Sequence, residues 1–194
     1  MALLETGVAH YTESIDESAR GETASAMLDA LLEKAHATLD QVTRVMVTLG
    51  PGSFSGLRTG VAFCEGLSFS GKRKLYGVST LAALACFADA PESAAVVIRA
   101  RKDYWYLRLN GKESFIETAQ VVEALKAYPV KTVVVDEAAH ADETLQAAFK
   151  ETGAATRLDK GQPLSKWGKL FDSVTPSLML EANYIQPSYF EKLH

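Results

Sequence analysis

Between Thr23 and Leu39 the apolar residues Met27, Leu28, Leu31, Leu32, Ala35 and Leu39 recur at helical spacing, with Asp29, Glu33 and Lys34 on the opposite side. This predicts an amphipathic helix. Val42–Leu49 is a short β-branched run that stops at GPGSFSG, after which Leu57 to Phe69 returns to a helical pattern. The unit reads as strand, glycine-rich turn, helix. Lys74–Val78 predicts another short strand. Ser79 is a natural N-cap for an alanine-rich helix from Thr80 to Ala88, because its hydroxyl can accept from the first free amides.

The middle of the chain changes character. Ala94–Ala100 and Tyr104–Leu109 are strand-like, and Asn110-Gly111 supplies the positive φ angles of a tight hairpin leading into Glu113–Ile116. A helix is predicted from Thr118 to Ala127, a buried strand over Val130–Val135, a helix over Asp142–Thr152, a strand over Ala154–Leu158 and a helix over Pro163–Val174. Beyond Pro176 the tail reads as an extended strap. Alternating strands and helices around an antiparallel meander give an α/β protein.

Composition narrows the function classes. With 194 residues, 47% hydrophobic and 23% charged, the chain is an ordinary globular protein. Its 20 basic and 24 acidic side chains leave a formal charge of −4. No run approaches the ~18 apolar residues of a membrane helix, and the N-terminus has no secretory pattern. A cytoplasmic protein without membrane contact is expected. Cys64 and Cys86 sit among small apolar residues and read as inert buried thiols.

The segment Gly50-Pro51-Gly52-Ser53-Phe54-Ser55-Gly56-Leu57-Arg58 is the one unusual motif at a meaningful place. Glycines there allow positive φ and close approach, and a helix N-terminus favours an anion. A tight turn with no ligand uses the same residues. The P-loop is excluded, because Leu57 and Arg58 stand where it needs lysine and then Ser or Thr. A dinucleotide fingerprint is disfavoured, because Ser79 ends the next strand in place of an acid. Gly60 and Gly66 inside the following helix each cost about 1 kcal/mol relative to alanine. With Gly56, Ala62 and Cys64 they form a small-residue surface suited to close packing on the chain's own sheet or on a partner helix. His10, His36, His140 and His194 lie far apart and show no metal-ligand spacing. No nucleophile motif is visible. Lys72-Arg73-Lys74 and Arg99-Arg101-Lys102 could touch RNA phosphates but read more simply as solvated turns.

The run GPGSFSGLRTGVAFCEGLSFSGKRKLYGVSTLAAL resembles the signature of the bacterial TsaB (YeaZ) family, GPGSFTGLRIG…AKGL…GVSSLEAL. The similarity extends to IRARKDYWY at Ile98–Tyr106 and to Gln186-Pro187-Ser188-Tyr189-Phe190 near the end. It implies an actin-like, Hsp70-like ATPase fold of two ribonuclease H-like lobes, with mixed sheets flanked by helices, here an N-terminal lobe 1–91 and a C-terminal lobe 92–194. It also implies a non-catalytic scaffold that binds the catalytic paralogue TsaD and the P-loop ATPase TsaE. That assembly adds threonylcarbamoyl to the adenosine beside the anticodon of tRNAs reading ANN codons. ATP and metal are expected on the partner subunits, tRNA through the complex, and a homodimer when the chain is alone. The implied docking surface combines the first two helices, with Met27, Leu28, Leu31, Leu57, Gly60, Val61 and Cys64 as candidates. An active nucleotide-dependent phosphotransferase or ATPase of the same fold is the alternative. Two departures stand out: Ser55 replaces the family's threonine, and the family's opening strand and Asp-Thr-Ser turn have no counterpart before Met1-Ala2-Leu3-Leu4. The resemblance therefore implies that this strand lies upstream, or that its place is filled by re-pairing or by a neighbouring molecule.

Overall fold

The computed structural model describes residues 2–5, 8–11, 22–160, 162–183 and 185. The chain groups into two units, Met1–Val78 with Leu164–Asn183, and Ser79–Pro163 with Tyr184–His194.

The first unit opens with β1 (Ala2–Glu5) and β2 (Val8–Tyr11), an antiparallel ladder pairing Ala2 with Tyr11 and Glu5 with Val8. Helix α1 (Glu22–Lys34) lies against both strands. It stops short of the predicted Leu39: His36 takes φ 51°, and Leu39–Gln41 forms a separate 3-10 turn. That turn is closed by the Thr38 amide, which donates to Gln41 Oε1 at 2.7 Å. A local cap thus wins over helical periodicity. Then come β3 (Arg44–Thr48), α2 (Phe54–Ser68) and β4 (Lys74–Val78), the strands pairing parallel from Arg44↔Lys74 to Thr48↔Val78. Among the described residues no pairing joins the β1–β2 and β3–β4 ladders.

Residues 164–183 return to this unit. Leu164–Asp172 is a 3-10 helix, which corrects the α-helix expected over Pro163–Val174. Gly168 weakens an α-helix there, and the segment is held by its docking contacts. Phe171 meets Tyr76 edge-on at 5.1 Å, and the Arg44 guanidinium lies 4.7 Å from the Phe171 ring centre. Arg73, read from sequence as part of a solvated basic turn, is instead buried. Its Nε and Nη2 donate to Leu39 O at 3.2 and 2.7 Å, and its Nη1 to Leu67 O at 3.0 Å. It satisfies carbonyls at the end of α2 and at the turn before β3.

The second unit begins with α3 (Thr80–Ala85). Ser79 caps it as expected, accepting from the Leu81 and Ala82 amides at 3.0 and 3.3 Å. The residues predicted to extend α3 to Ala88 instead close with tighter bonds, Phe87 N to Leu84 O and Ala88 N to Ala85 O. A five-stranded mixed sheet follows, built from β5 (Ala95–Arg101), β6 (Tyr104–Leu109), β7 (Lys112–Glu117), β8 (Thr132–Val135) and β9 (Ala155–Leu158) in the order β7-β6-β5-β8-β9. The Asn110-Gly111 turn has φ values of 51° and 76°, as a tight hairpin requires. Helices α4 (Thr118–Ala127), α5 (Glu137–Ala141) and α6 (Glu143–Thr152) pack on this sheet.

Ala95, Val97, Trp105, Leu107, Val121, Leu125, Val133, Leu145 and Phe149 form its core. The alternate strand residues Val96, Tyr106 and Val134 turn to the other face, where α3 lies against β5 and β6. The buried Trp105 indole donates to Thr118 Oγ1 at 2.9 Å, so its polar edge is satisfied. The sequence pattern gave no hint of α5, a five-residue helix started by Asp136, whose Oδ1 accepts from Ala139 N at 2.7 Å. The other oxygen accepts from Arg99 N at 2.8 Å, beside the register shift in β5.

Two stability predictions follow from this packing. Replacing Arg73 with alanine should cost about 2–3 kcal/mol in urea unfolding, and Arg73→Lys should recover less than half of it, since one ammonium cannot span both Leu39 and Leu67. Burial pushes the Asp159 carboxyl above the usual carboxylate range, with neighbouring Asp136 and Glu137 adding to the effect. A carboxyl whose folded pKa is raised contributes stability below its unfolded pKa and loses it as pH rises through the folded value. Asp159→Asn should therefore be more stable than the parent at pH 7, with the advantage shrinking below pH ~4; unfolding midpoints across that range measure it.

Candidate functional site

The glycine loop joins the C-terminal end of β3 to the first turn of α2. Helix α2 starts earlier than Leu57 because Ser53 is its N-cap: Ser53 Oγ accepts from Gly56 N at 3.4 Å, and Ser53 O from Leu57 N at 2.9 Å. Pro51 is buried after a cis Gly50-Pro51 bond, whereas Gly52, Ser53, Phe54, Ser55 and Gly56 are exposed. Gly50 has φ 116°, and a Cβ there would come within 2.5 Å of Asn183 O and 3.0 Å of Leu57 Cδ1. Asn183 N in turn donates to Leu49 O at 2.7 Å. The close approach that requires glycine at this position is made by the chain's own C-terminal segment. Arg58 places its guanidinium 5.2 Å from the ring centre of exposed Phe54.

The candidate docking residues divide by side. Leu31, Leu57 and Val61 are buried, facing the first unit's own interior, and this corrects their placement at a partner surface. Helical periodicity identified the inward face of each helix. Met27, Leu28, Gly60 and Cys64 are half-buried. A Cβ on Gly60 would meet Val47 Cγ2 of β3 at 3.8 Å, so this glycine belongs to the sheet-facing side. The exposed side of α2 carries Ser55, Thr59, Ala62 and Gly66 at successive turns and ends at Phe69, which is 93% exposed. Arg58, one turn before Ala62, lies on the same exposed side. Nothing in the described chain lies within 4 Å of a Cβ built on Gly66, so no intramolecular packing explains that glycine.

The remaining candidates hold no reactive chemistry. Burial, with neighbouring Glu65, pushes the Cys64 thiol up to about 11. The Arg99 guanidinium lies over Trp105 at 5.0 Å and that of Arg101 over Tyr104 at 4.3 Å, so both are engaged with the chain's own rings. Among the described residues no group of three or more His, Cys, Asp or Glu could hold a metal, and no helix is long and apolar enough to cross a membrane. His194 and the Gln186–Phe190 segment lie outside the described residues.

Two units of sheet and helix, with a glycine turn after a parallel strand, are of the actin-like ATPase type of fold. Two Pseudomonas aeruginosa structures share it. One is a crystal structure of a protein described as similar to peptidase YEAZ, with TM-score 0.71 and 22% identity, covering 95% of this chain and 93% of that one. The other is YeaZ, with TM-score 0.61 and 22% identity, covering 97% and 92%. The family model for TsaD, tRNA N6-adenosine threonylcarbamoyltransferase, matches residues 17–165, and the chain belongs to this family. The TsaB protein of Buchnera aphidicola is 30% identical over 123 residues, 56% of this chain and 59% of that protein. That of Haemophilus influenzae is 29% identical over 100 residues, 52% of this chain and 42% of that protein. A Clostridium botulinum tRNA N6-adenosine threonylcarbamoyltransferase is 36% identical over 58 residues, 30% and 17% of the two chains. The chain thus spans about half the length of the curated relatives it matches.

The Cys64 environment gives a direct test. At pH 8 its alkylation by iodoacetamide in the folded protein should be slower than that of a free cysteine by about a hundredfold, since the thiolate is the nucleophile. Peptide mapping after timed labelling checks it.

Proposed function

We propose that the chain is a non-catalytic scaffold subunit in tRNA threonylcarbamoyladenosine biosynthesis, acting in the cytoplasm through helix packing against the catalytic paralogue TsaD. The observation that supports this most is the exposed, small-residue side of α2, Ser55-Thr59-Ala62-Gly66, in a chain of the TsaD family that resembles TsaB proteins. Small side chains let two helix backbones approach closely, and an open glycine in a helix interior is a cost that such an approach offsets. Residues 1–91 and 92–194 are its two lobes by descent, although Leu164–Asn183 returns by contact to the first unit. TsaE joins the assembly, ATP and metal sit on the partner subunits, and tRNA, of the kind reading ANN codons, is reached through the complex. In the absence of TsaD the same face self-associates into a homodimer.

Reconstituted threonylcarbamoyl transfer with TsaD and TsaE, with and without this chain, tests the role. Transfer should require the chain, and ATP turnover by the purified chain alone would instead favour a phosphotransferase of the same fold. Ala62→Arg and Gly66→Arg place a charge on the exposed face, where they should weaken TsaD binding by at least tenfold while leaving the unfolding midpoint within about 1 kcal/mol of the parent. Gly60→Leu, on the sheet-facing side, should lower stability instead. Titration calorimetry with parallel urea unfolding separates the two effects.

A further inference from the structure

A glycine turn after a parallel strand, at the start of a helix, is where an α/β protein receives an anionic ligand such as a nucleotide phosphate. The residues here do not fit that use. Segment 177–183 runs past the ends of β3 and β4 and is fixed at three points. Ser177 N donates to Leu75 O at 2.9 Å, Leu180 N to Glu65 Oε1 at 3.0 Å, and Asn183 N to Leu49 O at 2.7 Å. Two glycines make room for it. A Cβ on Gly77 would lie 2.8 Å from Leu180 Cδ2 and 2.6 Å from Leu49 Cδ1, and a Cβ on Gly50 would lie 2.5 Å from Asn183 O. A backbone carbonyl of the chain itself therefore occupies the space beside Gly50 that a side chain, or a ligand pressed against that face, would need. It presents oxygen, the same partial charge as a phosphate.

We infer that the loop at Gly50-Pro51 is a socket for the chain's own C-terminal strap, Ser177–Asn183, and not a cradle for nucleotide. Gly50 supplies the positive φ and the missing side chain, Gly77 supplies the floor, and Glu65 on α2 pins the middle of the strap. The strap is then a structural latch joining the amino end of β4, at Leu75, and the residue after β3, Leu49, to α2. Of the exposed loop residues, Gly52 is outside this socket: a Cβ there would meet only Leu57, at 3.7 Å or more.

Hydrogen exchange on the full chain tests the assignment, with Gly50→Ala and Gly52→Ala as a matched pair. In Gly50→Ala the amides of Ser177, Leu180 and Asn183 should exchange at least tenfold faster, while amides of the second-unit sheet, such as Val134, keep their protection and report that the protein remains folded. Gly52→Ala should leave the strap protected. Unchanged strap exchange in Gly50→Ala, or equal loss in both variants, would overturn the socket. Because Gly50→Ala could unfold the first unit as a whole, Leu180→Pro provides a second route: it removes the bond to Glu65 from the strap side and should likewise expose Asn183 N. Mg-ADP is the ligand probe. Millimolar Mg-ADP should leave strap exchange and the melting temperature of the parent unchanged, whereas a rise in melting temperature that Gly50→Ala abolishes would show that the loop binds nucleotide and would overturn the proposal.

Discussion

Buried backbone amides and carbonyls have to find partners, and in the first unit that requirement is met from outside the β3-α2-β4 segment. A two-stranded parallel ladder leaves carbonyls open at its ends. The strap reaches Leu75 O through Ser177 N and Leu49 O through Asn183 N, so both strands are bonded near their limits. At the opposite end of α2, the buried Arg73 guanidinium reaches Leu39 O and Leu67 O. An arginine suits this task because its planar fork can address two carbonyls in different directions. Remote residues therefore hold a unit whose own ladder is short.

The second unit solves the same problem internally. Its five strands bond to one another, and residues alternating along β5 and β6 fill a core on one face while leaving the other for α3. Polar groups at its margins are used twice over. Asp136 caps α5 with one carboxylate oxygen and holds the Arg99 amide with the other. Ser79 caps α3 and donates from the same hydroxyl to Glu113 Oε1 at 2.5 Å. Arg157 grips the end of α3, bonding Phe87 O and Asp89. Each of these ties a helix terminus to a strand, which is why short helices such as α3 and α5 persist.

What could be read from the sequence was what depends on neighbours three or four residues away. The cap at Ser79, the helix beginning at about Asp142, the Asn110-Gly111 turn, the meander through Tyr104–Leu109 and the strand Lys74–Val78 all announce themselves locally. Features set by distant partners did not. The 3-10 form of Leu164–Asp172 is tied to Tyr76 and Arg44, and the burial of Arg73 to carbonyls on two other elements. Three of the candidate docking residues are buried for a related reason. Apolar periodicity marks the side of a helix that the chain itself buries, so Leu31, Leu57 and Val61 were chosen, while the open stripe of α2 is made of residues too small to register as hydrophobic.

The glycine motif shows the same limit in its sharpest form. A glycine with positive φ states that something comes close to the backbone, and it does not state what. From sequence alone a phosphate and a bare turn fitted Gly50 equally well. The absence of the P-loop lysine removed one ligand without identifying the neighbour that stays. That neighbour, Asn183, lies far along the chain in a segment whose only local signals are prolines and extended character. Conversely, a Cβ on Gly66 would meet nothing outside its own helix within 4 Å among the described residues. In one chain, then, one glycine is explained by a contact made within the fold, and another faces open space. The same residue type makes room for the strap before α2 begins and leaves the side of α2 bare, and only the neighbour, not the residue, tells the two apart.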